Sequence, residues 1–248
     1  MRSAELRKMY ELEDSYWWFV ARRELACRLL RRHCRGPLRI LDIGCGTGAG
    51  LAAFGRLGTA VGVDVSALAL SLCQARGERR LVQADAQSLP FIDRAFDAAL
   101  MLDVLEHLDD DAGGVREAAR VLKPGGVLIL TVPAVPALWS EHDEALAHRR
   151  RYLRNSLLNA LGASGMRISL LSYAILALFW PIFLFRLLQR LTGASGRSRK
   201  TKKTAVIQVP RPVNDLFVAL LRLESLAMMR APLPFGVSLV AVARKRPA

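Results

Sequence analysis

The stretch "ILDIGCGTGAG", residues 40 to 50, decides the fold. Its apolar start indicates a buried strand, and the glycines that follow indicate a tight turn into the N-terminus of a helix. Because glycine has no Cβ, such a turn lets backbone N–H groups approach a bound cofactor closely. The pattern alone is ambiguous, since Gly44, Gly46 and Ala49 also satisfy the dinucleotide-binding spacing G-x-G-x-x-G/A.

Three aspartates near the ends of strands resolve the ambiguity. Asp42 stands two residues before the first glycine, where its charge attracts a cationic ligand and repels a pyrophosphate. Asp64 ends the second strand, where a carboxylate can accept hydrogen bonds from both hydroxyls of a ribose. Asp85 ends the third strand and is placed to accept a hydrogen bond from the amino group of an adenine. The three residues argue against a dinucleotide and for a different nucleoside ligand.

Short apolar runs alternate with helical patterns from residue 38 to residue 133. Strands this apolar, when helices separate them, predict an α/β fold whose parallel sheet is covered on both faces. The predicted strands are residues 38–43, 59–66, 80–85, 96–102, 125–133 and 166–173, with a last strand within 236–245. The predicted parts of the chain are an N-terminal helical lid (1–36), a core (37–174 with 234–246) and a helical insertion between the last two strands (175–233).

Several segments, in this order and spacing, resemble the class I S-adenosylmethionine-dependent methyltransferases: "LDIGCGTG", "VGVDVS", "QADAQSLPF", "FDAALMLDVLEHL" and "RVLKPGGVLILTVP". The resemblance implies a doubly wound, seven-stranded Rossmann-like sheet with an antiparallel last strand. Glu106 and His107 resemble the "EH" of type 11 methyltransferases that act on quinones and other small molecules. The start "YWWF..RR", the loop "HDE...HRRRY" and the ending "PFGVSLVAVARK" resemble a bacterial subgroup of that family. A dehydrogenase-like fold and a degenerate methyltransferase are the alternatives.

The resemblance implies that S-adenosylmethionine is the cofactor and that its sulfonium methyl group is transferred in line to a nucleophile. It assigns the methionine part to the glycine turn, the ribose to Asp64, and the adenine to Asp85 with Ala86. The implied cofactor-binding residues are Asp42, Gly44, Cys45, Gly46, Gly48, Asp64, Val65, Asp85, Ala86, Leu102, Trp17 and Arg22. We expect the aromatic row 16–19 to cover the cofactor and an arginine after it to face the methionine carboxylate; packing on the sheet is the alternative.

The segment "LDVLEHLDD" (102–110) follows the fourth strand. Methyltransferases that act on exocyclic amines of nucleic-acid bases usually carry an Asn/Asp-Pro-Pro-aromatic run there, so the segment argues against a nucleic-acid substrate. Asp103, Glu106 and His107 are spaced i, i+3 and i+4, and on a helix they would share one face. Such a face suits a divalent metal or a proton acceptor, but a capping and packing cluster is the favoured interpretation, and we predict no metal site.

The segment "LWSEHDEALAHRRRY" (138–152) follows the fifth strand, at the end of the sheet where ligands bind in such folds. His142 and His148 are candidates for deprotonating an acceptor hydroxyl, and with His107 they form the predicted catalytic set. The arginines at 149–151 could hold an anionic group of the substrate. A solvated basic loop is the alternative interpretation.

The overall charge and the cysteines constrain the partner and the compartment. The formal net charge of +14 favours an anionic partner such as nucleic acid, anionic lipid or a phosphorylated small molecule. The first residues, "MRSAELRKMYELED", contain no apolar segment of a secretory signal, so we expect a cytoplasmic protein. Cys27, Cys34, Cys45 and Cys73 show no metal-binding spacing and are predicted to be reduced thiols.

The insertion combines the apolar run "AILALFWPIFLFRLL" (174–188) with the basic run "RSRKTKK" (197–203). A transmembrane hairpin is disfavoured because the return segment 213–230 carries Asp215, Arg222 and Glu224 and because the basic run would be exported. We therefore predict a helix at 175–191, kinked at Pro181, that lies in the interface of an anionic leaflet. The alternative is a buried helix that packs on 213–230 or on a second subunit.

These observations predict a methyltransferase that is peripherally attached to the cytoplasmic face of the membrane. The expected acceptor is an oxygen atom of an amphipathic or lipid-linked small molecule, and no nucleic-acid partner is expected. A soluble or RNA-directed methyltransferase and a catalytically silent membrane-associated scaffold are the alternatives.

Overall fold

Seven strands form one mixed sheet in the part of the chain that the computed structural model describes, residues 3–191 and 209–247. They are β1 (Leu38–Ile43), β2 (Gly58–Asp64), β3 (Leu81–Gln83), β4 (Phe96–Leu102), β5 (Leu122–Pro133), β6 (Arg167–Ala174) and β7 (Ser238–Arg244). The order across the sheet is β3-β2-β1-β4-β5-β7-β6, and β7 runs antiparallel to both of its neighbours. The predicted α/β sheet with an antiparallel last strand is confirmed.

Strand β5 begins at Leu122, whereas the sequence pattern placed its start at 125. Leu122 pairs with Phe96, and the register shifts over residues 123–126 before pairing resumes. Pro124 cannot donate a hydrogen bond to a neighbouring strand, and Gly125 has a φ of +77°. The Pro-Gly pair therefore marks an irregularity inside the strand and not its boundary.

Helices cover both faces of the sheet and enclose two apolar cores. In chain order they are α1 (Ser3–Leu12), α2 (Trp17–His33), α3 (Ala49–Gly55), α4 (Ala67–Ala75), α5 (Asp111–Val121), α6 (Glu141–Ala145), α7 (Arg154–Gly162), α8 (Phe179–Leu191) and α9 (Arg211–Met228). One core includes Phe54 and Ile129 and lies between the sheet and α2, α3, α4 and α9. The other includes Val115 and Leu128 and lies under α5 and α7. Leu128 and Ile129 are adjacent on β5, so their side chains enter opposite cores.

Helix α9 is anchored to the N-terminal helix α2. The guanidinium Nη2 of Arg222 donates to Oε1 of Glu24 at 2.6 Å. The side chain of Asn214 accepts a hydrogen bond from the backbone N–H of Trp17 at 2.8 Å, and Trp17 packs edge-on against Phe217. Arg222, one of the charged residues that argued against a membrane span, therefore helps hold α9 against α2.

Helix α8 starts later than the predicted 175–191, at Phe179. Ile175 has a φ of +61°, a left-handed conformation that a β-branched residue adopts only under constraint. The carboxylate of Glu224 supplies that constraint, because it accepts backbone N–H groups from Ile175 at 2.5 Å and from the next two residues at 2.9 and 3.1 Å. These bonds fix a turn between β6 and α8.

Pro181 lies in the first turn of α8, not in the helix interior where the predicted kink would arise. It is the third residue of the helix, and the first four N–H groups of any helix have no partner inside it. The missing N–H of proline therefore costs no helical hydrogen bond. The proline belongs to the helix start.

Helix α8 carries exposed apolar side chains, which we call the α8 apolar face: Trp180, Leu184, Leu187 and Leu188. They are 40–59 % exposed. Among the helices described, none has the length and apolar character needed to cross a membrane. The basic run 197–203 lies outside the described residues.

Candidate active site

A cavity of about 820 Å³ lies at the carboxyl ends of β1, β2 and β4. Its volume falls in the range of sites that hold small molecules. Of the predicted site residues, those on its wall are Trp17, Arg22, Gly44, Cys45, Gly46, Asp64, Val65, Asp85, Ala86, Leu102, His107, His142 and His148. The structure thus brings residues from segments far apart in the chain to one space, at the end of the sheet where such folds bind ligands.

The glycine turn forms the floor of the cavity. The N–H groups of Gly44 and Cys45 donate to the carbonyl of Val63 at 2.7 and 2.9 Å, which ties the turn to the end of β2. Gly44 has a φ of +72°, and a Cβ at this position would lie 2.5 Å from a methyl group of Val104. Only glycine fits the turn at this residue.

Asp64 joins the end of β2 to the glycine turn. One carboxylate oxygen accepts the N–H of Gly46 at 3.0 Å, and the other accepts the N–H of Ser66 at 2.8 Å. Burial raises the pKa of this carboxyl above its ordinary value, although both backbone hydrogen bonds oppose the shift. Each oxygen keeps a lone pair for a ligand hydroxyl, since a carboxylate oxygen can accept two hydrogen bonds.

Two predicted cofactor residues lie behind the turn and are not part of the cavity wall. Asp42 is buried under the start of α3, where a Cβ on Gly50 would lie 3.3 Å from one carboxylate oxygen. Burial raises the pKa of Asp42 to about 7. Gly48 has a φ of +91°, and a Cβ there would lie 2.9 Å from the Sγ of Cys73. Both residues shape the turn from below.

Glu13, which follows α1, binds the glycine turn through its side chain. The sequence did not reveal this role. Its carboxylate accepts hydrogen bonds from the hydroxyl of Thr47 and from the N–H of Ala49, the latter at 3.3 Å. It also lies 3.3 Å from the guanidinium of Arg76. Burial raises the pKa of Glu13 despite these partners. Nothing in the N-terminal sequence marks this glutamate, because its partners are distant in the chain.

The adenine side of the cavity is formed after β3. Asp85 accepts the N–H of Gln87 at 2.8 Å through one carboxylate oxygen, and Ala86 is buried beside it. Val65, which follows β2, is 68 % exposed although it lines the cavity. An exposed apolar side chain next to two carboxylates offers a surface for a planar base. The adenine assignment stays a prediction.

The aromatic row 16–19 lines the cavity together with Arg22. The guanidinium of Arg22 donates to a carboxylate oxygen of Asp103 at 2.5 Å and lies 5.6 Å from the ring centre of Phe19. The side chain of Arg22 is 24 % exposed, so it can still reach a ligand. Its contact with a methionine carboxylate stays a prediction.

The residues after β4 do not form the predicted shared helix face. Asp103 has a φ of +59°, which no helical residue adopts, and a short 3₁₀ turn covers only Leu105–His107. Asp103 instead accepts the hydroxyl of Thr131 at 2.9 Å and the guanidinium of Arg22. The strained residue turns the chain sharply at the end of the strand.

Glu106 is fully buried and faces the cavity. Neither carboxylate oxygen has a hydrogen-bond partner, and the nearest imidazole nitrogen, Nε2 of His148, lies 3.9 Å away, beyond hydrogen-bond distance. Burial raises the pKa of Glu106 well above its ordinary value, and the charge of Asp103 adds to the shift. A buried carboxyl without a partner costs free energy, so the site favours a ligand that supplies one.

The three cavity histidines, His107, His142 and His148, form what we call the histidine cluster. The ring centre of His148 lies 4.9 Å from that of His107 and 6.5 Å from that of His142. Burial lowers the pKa of His107 and of His142 to about 4, so both imidazoles are neutral at physiological pH. Nδ1 of His148 lies 3.0 Å from the carboxylate of Asp143, which orients the ring.

Asp143 is held as a carboxylate in the interior. The Nε of Arg151 donates to it at 2.8 Å, and the N–H of Ser140 donates to its other oxygen at 2.9 Å. Burial opposes ionisation, but the hydrogen bond with His148 and the charge of Arg151 hold the pKa of Asp143 well below its usual range. The loop after β5 is therefore a fixed support for His148.

The arginines at 149–151, which could hold an anionic group of the substrate according to the sequence, all pair with carboxylates of the protein. Arg149 pairs with Asp109 at 2.5 Å, and Arg150 pairs with Asp111 at 3.2 Å. The guanidinium of Arg151 is buried against Asp143. Each positive charge already has a protein partner, because the loop folds back onto the segment after β4.

Comparison with known proteins agrees with this geometry. The family model described as a methyltransferase domain matches residues 41–130, from the end of β1 into β5. The chain contains a class I S-adenosylmethionine-dependent methyltransferase domain. S-adenosylmethionine is the cofactor of this methyltransferase domain.

Curated relatives are similar to about half of the chain, and solved structures share its fold over most of its length. A demethylmenaquinone methyltransferase of Tropheryma whipplei (strain Twist) is 35% identical over 150 residues, covering 52% of this chain and 59% of the relative. A ubiquinone biosynthesis O-methyltransferase of Bradyrhizobium sp. (strain ORS 278) is 34% identical over 140 residues, covering 52% and 53%. The chain thus spans little more than half the length of these curated relatives. A methyltransferase structure from Archaeoglobus fulgidus shares the fold, with a TM-score of 0.55, 21% identity and coverage of 90% of this chain and 94% of that one.

Proposed function

We propose that the protein transfers the methyl group of S-adenosylmethionine to an oxygen atom of a prenylated hydroquinone or similar lipid-linked acceptor at the cytoplasmic face of the membrane. One observation carries the proposal: a single cavity joins Asp64, the histidine cluster and the inner side of α8. The cofactor's ribose site, a set of proton acceptors and an apolar wall therefore share one space.

The chemistry of the relatives supports a quinone-type acceptor. Both relatives described above are named for steps of quinone biosynthesis, and one of them is named as an O-methyltransferase. The reduced form of a quinone offers an aromatic hydroxyl, which becomes a good nucleophile when it loses its proton. Its isoprenoid chain needs an apolar environment, which a wall of apolar side chains provides.

The histidine cluster can take the hydroxyl proton. The oxygen's electron pair forms a bond to the methyl carbon while the carbon–sulfur bond breaks, and that bond's electron pair stays on sulfur as S-adenosylhomocysteine. The O–H proton passes to an imidazole nitrogen of the cluster, since a neutral imidazole has one ring nitrogen that accepts a proton. The positioning of the two reactants contributes the rest of the acceleration.

Helix α8 links the cavity to the exterior. Ile182 and Phe185 line the cavity, and Phe185 is also 48 % exposed, so the cavity opens beside the α8 apolar face. A helix with one apolar face next to a basic run suits the interface of an anionic membrane. Each basic residue of the run 197–203 adds about 1 kcal/mol near such a surface. A prenyl chain can then enter from the bilayer without crossing water.

Methyl transfer to candidate acceptors tests the proposal. The protein is incubated with radiolabelled S-adenosylmethionine and short-chain prenylated hydroquinones, including demethylmenaquinol, in vesicles with and without anionic lipid. We expect a methyl ether, formed faster in anionic vesicles, and little product from the same head group without its prenyl chain. Methylation of ring carbon alone would contradict the oxygen assignment, and equal rates with the tail-free head group would contradict the lipid-linked acceptor.

A further inference from the structure

The histidine cluster contains most of the histidine in the protein. The chain has four histidines, and three of them line the cavity. The carboxylate of Glu106 and ring nitrogens of His107 and His148 lie within 4.8 Å of one another. Two imidazoles and one carboxylate are a frequent ligand set for divalent transition metals.

The unpartnered carboxylate of Glu106 points to a ligand. Its side chain is fully buried, both oxygens lack a hydrogen-bond partner, and the residue lies on the cavity wall. Buried carboxylates are otherwise paired or bound to a metal. The two arginines whose charges act on Glu106 do not pair with it, because Arg22 donates to Asp103 and Arg151 donates to Asp143.

His148 is oriented as metal-binding histidines are. Asp143 holds its Nδ1 at 3.0 Å, which leaves Nε2 directed toward Glu106 at 3.9 Å. A carboxylate that accepts the second ring N–H of a histidine fixes the tautomer and strengthens the other nitrogen as a ligand. Asp143 is itself held by Arg151 and by Ser140, so the supporting contacts are complete.

We infer that Glu106, His107 and His148 bind a divalent transition-metal ion, with Zn²⁺ or Co²⁺ as suitable ions, at the acceptor side of the cavity. Ligand atoms of a tetrahedral site with bonds near 2.1 Å are about 3.4 Å apart. The observed separations, up to 4.8 Å, therefore have to close by about 1.4 Å at most, which side-chain rotation can supply. Three protein ligands leave a fourth position open for the oxygen of water or of an acceptor.

A metal ion at this site would add to the proposed function, on which its catalytic role rests, but metal binding can be measured without methyl transfer. A cation in this position would bind the acceptor oxygen and ease loss of its proton, as metal ions do for bound water. With Glu106, His107 and His148 as ligands, His142 is the histidine of the cluster that remains to take the proton. The sequence had favoured a packing cluster here, since it showed neither the burial of Glu106 nor the approach of His148.

Titration of the metal-free protein with Co²⁺ tests the inference, because the visible spectrum of Co²⁺ reports its ligands without any methyl acceptor. We expect one equivalent to bind, with d–d bands typical of nitrogen and oxygen ligands. Glu106→Gln and His148→Gln should each weaken binding at least tenfold. His33→Gln, which removes the histidine outside the cavity, and His142→Gln should leave the affinity unchanged within about twofold.

The outcomes separate metal binding from methyl transfer. Absence of binding at millimolar Co²⁺, thiolate charge-transfer bands, or equal affinity in all four variants would overturn the inference while leaving the proposed function intact. Affinity for S-adenosylhomocysteine confirms that each variant is folded. If Glu106→Gln fails this control, His148→Gln and His107→Gln decide the question.

Discussion

The two halves of the cavity are built in different ways. The cofactor half consists of the glycine turn, Asp64 and Asp85, which follow one another along the first three strands and are held largely by backbone hydrogen bonds. The acceptor half joins Glu106 to Asp143 and His148, which belong to separate loops after β4 and β5 and are held by buried side chains. One half therefore depends on local chain geometry, and the other on tertiary contacts between charged groups.

This difference explains why the same fold can serve many acceptors. The cofactor half depends on glycines and carboxylates at fixed sequence positions, where most substitutions would disturb the turn. The acceptor half lies on loops at the carboxyl end of the sheet, where substitution alters chemistry without disturbing the core. If the division is real, substitutions in one half should leave the function of the other half nearly unchanged.

The largest expected effect lies in the acceptor half. His148→Ala should lower kcat for methyl transfer roughly 10²- to 10⁴-fold, which is the range for loss of a group that assists removal of the acceptor's proton. The dissociation constant for S-adenosylhomocysteine should change less than about twofold, since Asp64 and the glycine turn are untouched. The matched control is His33→Ala, a histidine of α2 outside the cavity, which should retain full activity. A parallel loss of cofactor affinity in His148→Ala would break the division.

The cofactor half gives the next largest effect. Asp64→Ala should raise the dissociation constant for S-adenosylhomocysteine about 10- to 100-fold, because hydrogen bonds to a charged acceptor contribute roughly 1.5–3 kcal/mol. Calorimetric titration measures it. Asp93→Ala, which removes the carboxylate paired with Arg120 outside the cavity, is the control. Unchanged affinity in Asp64→Ala would show that the ribose lies elsewhere.

The α8 apolar face should affect membrane binding and neither half of the cavity. Leu184→Asp with Leu188→Asp should lower partitioning onto anionic vesicles about tenfold, since the burial of two apolar side chains is replaced by repulsion. Ile92→Asp changes an apolar residue that is 81 % exposed and lies outside the insertion, so it should leave vesicle binding unchanged. Co-sedimentation measures both.

The basic run 197–203 provides an independent check on membrane docking. Neutralising it should release the protein from anionic vesicles while sparing cofactor affinity, because the run attracts the anionic surface. Persistent vesicle binding at low salt would rule out the electrostatic part of the docking. Persistent binding in the Leu184 and Leu188 variant would rule out the apolar part.

The smallest expected effect comes from Asp42, beneath the glycine turn. Burial raises its pKa to about 7, so the carboxyl is mostly neutral at pH 6 and mostly ionised at pH 8. The cationic amino group of the ligand should therefore bind more tightly as pH rises, by roughly twofold to fivefold, as expected for a charge pair that does not touch. Asp42→Asn should remove the difference between wild-type affinities at pH 6 and pH 8. An equal pH dependence in the variant would assign it to another group.

The sequence predicted the cofactor half more fully than the acceptor half, for physical reasons. The glycine turn and the aspartates near strand ends are patterns of adjacent residues, and most of them line the cavity as expected. Glu13 could not be predicted, because it reaches Thr47 only after α1 folds over the turn. The helical spacing of Asp103 and His107 was misleading, since the left-handed Asp103 ends the strand in a sharp turn.

In the insertion, too, contacts between residues distant in the chain could not be predicted from the sequence. Its two helices follow from their apolar periodicity, but the start of α8 depends on Glu224, which lies on the other helix. The arginines at 149–151 suggested an anion site because the sequence could not show their partners Asp109, Asp111 and Asp143. Local patterns predict elements, and contacts between distant charged residues decide where these elements begin and what remains available to a ligand.

A crystal structure of the protein with S-adenosylhomocysteine would test the central claim most directly. We predict ribose hydroxyls on the Asp64 carboxylate and the sulfur atom facing Glu106 and His148, with space between them for the methyl group of S-adenosylmethionine and an acceptor oxygen about 3–3.5 Å beyond it. A ribose bound away from Asp64, or a sulfur atom that faces away from the histidine cluster, would contradict the division of the cavity into a cofactor half and an acceptor half.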